Sequence, residues 1–236
     1  MYYPSYFYGF DMTYLVLVVP VLLLAFAAQI RVKTTYSKFA RVPTSRAVTG
    51  AQAAQRILLY YGISDVRFEV AGRALGEHYD PRRKVIRLSQ EIANSSSIAA
   101  VAIACHEAGH AAQHAQGYAP IKIRDGLMPV CRIGSMLGLP LAIGGVIFSL
   151  QPLIWIGLLL YALVAVFQLV TLPLEFNASS RALLVMDEVG MLGDEERSGA
   201  KKVLTAAALT YVASLAVTLA NLLRMFLRFN NSGRRR

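Results

Sequence analysis

Charge is scarce in this chain of 236 residues: 16% is charged and 56% hydrophobic, against about 25% and 45–50% in ordinary soluble domains. A disordered or purely soluble protein is therefore excluded at the outset. Cysteine is nearly absent as well. The two present, Cys105 and Cys131, lie in or beside apolar sequence without CxxC spacing, which excludes a disulfide framework and a cysteine-rich zinc finger and reads as two buried thiols. Histidine is limited to 4 and tryptophan to 1. Acidic residues number 14 against 24 Lys and Arg, for a net charge of +10. No nucleic-acid motif accompanies that excess, and the basic residues cluster beside apolar runs instead, so nucleic acid is not an expected partner.

What the chain has in quantity is apolar sequence in membrane-length pieces, with a mean hydropathy of +0.46. Four runs approach the roughly 20 residues needed to cross a hydrocarbon core: about 12–30, 127–150, 152–174 and 203–223. The first holds Ala25-Phe26-Ala27, which resembles a signal-peptidase site. The stretch before it, MYYPSYFYGFD, has no Lys or Arg and carries Asp11, while Arg31, Lys33, Lys38, Arg41 and Arg46 follow the run. That charge order predicts an uncleaved anchor with its N-terminus outside. Pro20 within the run is expected to kink the helix without ending it.

Residues 35–118 have the composition of a small soluble domain. Thr49 should cap a helix that ends near Gly62. DVRFEV alternates, so Val66, Phe68 and Val70 should share one face of a strand. After an Asp80-Pro81 turn, Val85, Ile86 and Leu88 form a second strand. Asn94-Ser95-Ser96-Ser97 then supplies caps for a helix, SIAAVAIACHEAGHAAQHAQG, with its stop at Gly117. Together these readings predict a mainly α, polytopic membrane protein of about four membrane helices carrying a small α+β cytoplasmic domain. Its segments would be an anchor with its basic flank (1–34), an α+β region (35–125), a membrane hairpin (126–174), a further helix with an acidic linker (175–202), and a last membrane helix with a basic tail (203–236). Lys122, Arg124 and Arg132 add to the positive charge on the domain's side, which should face the cytoplasm. The tail Arg234-Arg235-Arg236, with Arg228, would fall outside if the last helix fully crossed. Either that helix lies partly along the membrane, or the earlier charges outweigh the tail.

The chemistry lies in His106-Glu107-Ala108-Gly109-His110, an HExxH motif inside a segment that reads as a helix on other grounds. Residues four apart share a helical face, so both imidazoles can reach one metal ion. In a chain with 4 His, such a match by chance is on the order of one per cent. Two His and a Glu in so apolar a helix would also be costly to bury without a compensating ion. Zinc is the natural metal, one ion, with Glu107 as general base toward its water. His114 continues the i, i+4 spacing but lies about 12 Å along the axis from His106, so it is a candidate for orienting a ligand and not for ligation. Gln113 and Gln116 stand where the metzincin pattern requires Gly and His, which excludes that class. Glu175, at the end of the third apolar run, opens an amphipathic segment and is the expected third ligand. Arg181, His78 and Tyr118 are candidate donors to a developing oxyanion.

The combination of HYDP, VIRLS, IAAVAIACHEAGHAAQ and LPLEFNASSRAL resembles the YugP-type bacterial membrane zinc metallopeptidases over nearly the whole chain. It is more distantly similar to HtpX-like membrane proteases and to gluzincins. The resemblance implies peptide-bond hydrolysis at the cytoplasmic membrane face, with His106, His110 and Glu175 as zinc ligands and Glu107 as base. It also implies an acidic residue where this chain has Asn177, and gluzincins place Asp where Ser179 stands, so that Asn177 and Ser179 are the expected groups to orient a ligating His. In related folds the strand before the active-site helix takes substrate as an added strand, which makes Lys84–Leu88 the expected edge and Arg87 part of its solvated face. Expected partners are a peptide or membrane-protein substrate, the lipid bilayer, and a membrane complex or second copy of the chain. The competing reading is a zinc-stabilised membrane scaffold without catalysis, which would have no physical need for Glu107. A transporter or channel subunit would need more ionisable residues in the apolar runs than Arg132 and Gln168.

Overall fold

The computed structural model describes residues 12–71 and 76–233. The N-terminal stretch through Asp11 and the basic tail Arg234–Arg236 lie outside the described residues, as do the side chains of Arg228 and its successors. The elements run α1 (Val19–Phe39), α2 (Gly50–Tyr60), β1 (Arg67–Ala71), β2 (His78–Asp80), β3 (Val85–Ser89), α3 (Gln90–Asn94), α4 (Ile98–Ala115), α5 (Ala119–Ile147), α6 (Gln151–Glu188) and α7 (Asp194–Gly233). A π-helical turn, Tyr14–Val18, leads directly into α1. Pro20 thus sits inside a continuous helical run just after the π-helical turn, and its missing N–H costs that run one hydrogen bond without ending it.

Four helices are long and apolar enough to cross a membrane: Tyr14–Phe39, Ala119–Gly145, Gln151–Glu188 and Asp194–Leu227. Two of them correct the expected boundaries. Glu175 does not open a new helix but lies inside α6, which continues unbroken through Pro173. A proline costs a helix one hydrogen bond and a local clash, a cost that an apolar membrane helix tolerates. The acidic residues Asp194, Glu195 and Glu196 are likewise no linker; they form the first turn of α7, where the helix dipole favours them.

The chain divides into two compact units. One gathers the described parts of Met1–Ala28, Leu127–Leu169 and Thr210–Arg236. Within it α5 and α6 form a hairpin whose backbones meet closely at glycines. A Cβ at Gly157 would lie 2.4 Å from the Ala142 nitrogen, and one at Gly134 would lie 2.7 Å from the Leu160 carbonyl oxygen. Ala142, Leu158 and Met225 are the buried centre of this unit. Cys131 is free and buried there.

The other unit comprises Gln29–Gly126 and Val170–Leu209. Its core joins α2, α4, β3 and the inner faces of α6 and α7 through Ile57, Leu58, Ile86, Leu88, Val101 and Met186. α2 starts with a capping box in which Thr49 and Gln52 satisfy each other's backbone N–H groups. α4 starts at Ser97, whose side chain accepts from the Ala100 N–H. It stops at Gly117, whose φ of 64° a side chain would resist. Cys105, inside α4, is fully buried, and burial pushes its thiol up, as an inert thiol requires.

The sheet has three strands where two were expected, in the order β1-β3-β2. The Asp80-Pro81 turn is a hairpin turn: Asp80 accepts from the Arg82 and Arg83 N–H groups, and His78–Asp80 folds back antiparallel on β3. β1 pairs with β3 in parallel. The expected edge, Lys84–Leu88, is therefore the central strand, and it cannot accept a further strand because both its sides are paired. Its burial agrees, since Val85, Ile86, Leu88 and Ser89 are all inside. Arg87 is half-buried and paired with Glu69 at 2.7 Å, so it is not a free solvated residue. Val66, just before β1, and Phe68 on it pack on the core, while Val70 is exposed.

Candidate metal centre

α4 and α6 bring together the residues that the motif and its downstream glutamate singled out. His106 Nε2 lies 3.2 Å and His110 Nε2 lies 3.6 Å from Glu175 Oε2. The ligand atoms of these three residues all fall within 4.8 Å of one another. The two imidazole rings sit edge to face, 4.6 Å apart, as i and i+4 on one helix face should. His110 and Glu175 are buried and His106 is nearly so.

Close approach of the two helices depends on Gly109, the residue between the motif's halves. A Cβ there would stand 2.6 Å from the Ala178 carbonyl oxygen, so the backbone of α6 occupies the space a side chain would need. Glu175 and Ser179, one turn apart on α6, flank that contact and face the histidines. Glu107 points toward β2, where its Oε2 accepts the Tyr79 backbone N–H at 3.0 Å. Burial pushes the Glu107 carboxyl up, and the neighbouring His106 and His110 counter only part of that rise.

The profile of a protein family described as "putative neutral zinc metallopeptidase" matches residues 14–230. The chain is also 41% identical over 220 residues to the "putative membrane protease YugP" of Bacillus subtilis (strain 168), covering 93% of this chain and 98% of that protein. It belongs to this zinc metallopeptidase family. No solved structure matches it.

Within this family member, the remaining candidates divide by what they touch. Ser179 Oγ lies 3.1 Å from His106 Nδ1, so the hydroxyl backs the first histidine directly. Asn177 does not reach a histidine; its Oδ1 accepts from Gln113 Nε2 at 2.9 Å and from Arg181 Nε at 2.7 Å. Gln113 is the residue that touches His110, with Oε1 2.9 Å from Nδ1. Sequence reasoning passed over it, treating it only as a departure from another motif. Its signal was available: a long polar side chain at i+3 from a ligand, on the apolar side of a helix, where it is fully buried.

His114 stands apart from this set. Its ring packs against Tyr79, 6.1 Å between centroids, because 8 residues of helix carry it two turns past His106. The three oxyanion candidates are not gathered around the histidines as a group. Arg181 donates to Asn177 and Gln116 and lies over the rings of Tyr61 and Tyr118 at 5.9 and 5.8 Å. Tyr118 serves as one of those rings. His78 is exposed, with Nδ1 3.1 Å from the Gly76 carbonyl.

The donor set fits a catalytic zinc site. Two imidazole nitrogens and one carboxylate are the three protein ligands such sites use, with a fourth position for water. Tetrahedral ligands at 2.0–2.1 Å from zinc stand about 3.4 Å apart, and the observed 3.2 and 3.6 Å bracket that spacing.

Proposed function

We propose that the chain is a membrane-embedded, zinc-dependent endopeptidase whose zincin-like unit faces the cytoplasm of a bacterial cell. The observation that supports this most is the convergence of His106 Nε2, His110 Nε2 and Glu175 Oε2. Two of these candidate donors stand on α4 with the buried Glu107, and the third comes from α6. His106, His110 and Glu175 would hold the metal. Zinc, when bound, lowers the pKa of a water to about 7 and polarises a carbonyl.

The protein's own part in hydrolysis falls to Glu107 and the strand beside it. Glu107 accepts the proton of the attacking water as the water oxygen adds to the scissile carbonyl carbon. It then delivers that proton to the departing amine nitrogen as the C–N bond breaks. Tyr79 holds Oε2 through its backbone N–H, which leaves a second carboxylate oxygen to take the proton and fixes the direction from which it does so. A substrate strand would add to the outer edge of β2, the strand that touches Glu107, because β3 is paired on both sides. The Lys and Arg residues at 31–46 and 122–132 support a cytoplasmic setting for this unit.

The test is zinc content and degradation of an unfolded test protein by detergent-purified wild type and Glu107→Gln. Zinc in both with cleavage by wild type alone is the expected result. Zinc in both without cleavage by either would favour the scaffold reading, and absence of zinc from both would refute the metal site.

A further inference from the structure

We infer that Gln113, its amide held by the Leu174 carbonyl and by Asn177, fixes which nitrogen of His110 carries the proton and so turns the Nε2 lone pair toward the metal. This deepens the zinc reading above and rests on it. The argument starts from what each group can do. A guanidinium N–H only donates, so the Asn177 atom 2.7 Å from Arg181 Nε must be its carbonyl oxygen. That same oxygen lies 2.9 Å from the Gln113 amide, which must therefore present its NH2 group there. A backbone carbonyl, which only accepts, imposes the same choice independently: Leu174 O is 2.8 Å from the same Gln113 nitrogen.

With its nitrogen committed, Gln113 has only Oε1 to offer His110 Nδ1, 2.9 Å away. An amide oxygen accepts, so Nδ1 is protonated, and the neutral ring is left with its lone pair on Nε2, the nitrogen facing Glu175. Arg181 is itself held in place. Its NH1 donates to Gln116, and its guanidinium lies against Tyr61 and Tyr118. Gln113 is fully buried, so flipping its amide would set its oxygen against two acceptors with no water to compensate.

The two histidines differ in this respect. His106 Nδ1 meets the Ser179 hydroxyl, which donates or accepts with equal ease and fixes nothing by itself. Gln113 is thus the positioning residue for one ligand, and Arg181 backs it only through Asn177.

The tautomer can be read directly. The full chain, labelled with 15N-histidine and held in detergent micelles, has 4 imidazoles to assign. Long-range proton–nitrogen spectra of the metal-free protein, recorded above the pH at which the doubly protonated His110 favoured by Glu175 has titrated away, should show His110 protonated on Nδ1. Free histidine side chains prefer the opposite form. Gln113→Leu should lose that pattern, and zinc affinity measured by chelator competition should fall about 10–100-fold. Asn177→Asp keeps an acceptor toward both neighbours and should keep both readouts, and Asn177→Leu, which leaves the Leu174 carbonyl against the Gln113 nitrogen, should keep the tautomer as well.

A wild-type His110 protonated on Nε2 overturns the proposal, as does a folded Gln113→Leu with the Nδ1–H pattern and zinc affinity unchanged. The wild-type spectrum decides even where a variant fails to fold. A correct tautomer without zinc uptake would leave the relay standing and sink the zinc reading; zinc uptake with the proton on Nε2 would do the reverse.

Discussion

Gly109→Ala separates helix propensity from site geometry, because the two predict opposite signs. An alanine in a helix interior is favoured over glycine by about 0.8–1.0 kcal/mol, so on α4 alone the variant should be more stable. At this position, however, the new methyl carbon would lie 2.6 Å from Ala178 O, 3.2 Å from its carbonyl carbon and 3.3 Å from its Cα. These are backbone atoms of α6 and cannot turn aside. Restoring an ordinary contact of about 3.4 Å requires the helices to part by about 0.8 Å at that point. Overpacking of this kind costs about 1–3 kcal/mol, enough to cancel the propensity gain or exceed it. The larger effect falls on the site, since Glu175 and Ser179 lie on the stretch of α6 that must move. A displacement near 1 Å costs on the order of 100-fold in rate, so kcat/KM should fall about 10–100-fold, with weaker zinc binding. Thermal unfolding in detergent, chelator competition and a peptidase assay on one preparation measure all three. A variant that melts higher and keeps wild-type zinc affinity and rate would refute the claim that Gly109 sets the spacing of α4 and α6.

The other residues make shorter predictions. Burial raises the Glu107 carboxyl above its unfolded value, so between those two values the folded metal-free chain holds a proton the unfolded chain has released. Its stability must then fall as pH rises through that window. Metal-free Glu107→Gln should therefore melt with wild type near pH 4 but above it at neutral pH, as thermal scans in chelator would test. Ser179→Ala removes the partner of His106 Nδ1 and should weaken zinc binding about 10-fold, measured by chelator competition. His114→Phe keeps a ring against Tyr79 and should leave zinc affinity unchanged; a loss would restore His114 as a ligand-orienting residue. Gly157→Val, whose Cβ would meet the Ala142 nitrogen at 2.4 Å, should destabilise the α5–α6 hairpin by about 1–3 kcal/mol in denaturant titrations.

The helices and the motif were legible in the sequence because their signals are local. Thr49, Ser97 and Gly117 act on backbone groups within three or four residues, and HExxH needs only the pitch of one helix to align its imidazoles. The sheet was harder to read. His78–Asp80 is too short to alternate visibly, and its pairing with β3 follows from the Asp80 turn, whose hydrogen bonds the sequence only suggests. Once that third strand forms, the strand expected at the edge becomes the centre, and the apolar Val85, Ile86 and Leu88 agree with either position. The start of a helix at Glu175 was misread for a related reason. Pro173 and a carboxylate look like a boundary, but an apolar helix can carry both when a neighbouring helix receives them.

Pairing across α4 and α6 is the part that no local rule contains. Glu175 was found because a metal site lacked a ligand, which is a demand of chemistry, whereas Gln113 was missed because no chemistry demanded it until Asn177 and Leu174 stood opposite. The crossing itself is set by an absence, the side chain that Gly109 lacks, and within a sequence such a glycine reads only as a weak helix former. Its meaning comes from Ala178, 69 residues away in sequence. A metal centre built on two helices therefore divides its information. The ligands on one helix are legible as a motif, while the residues that aim them become legible only after the second helix has been placed against the first.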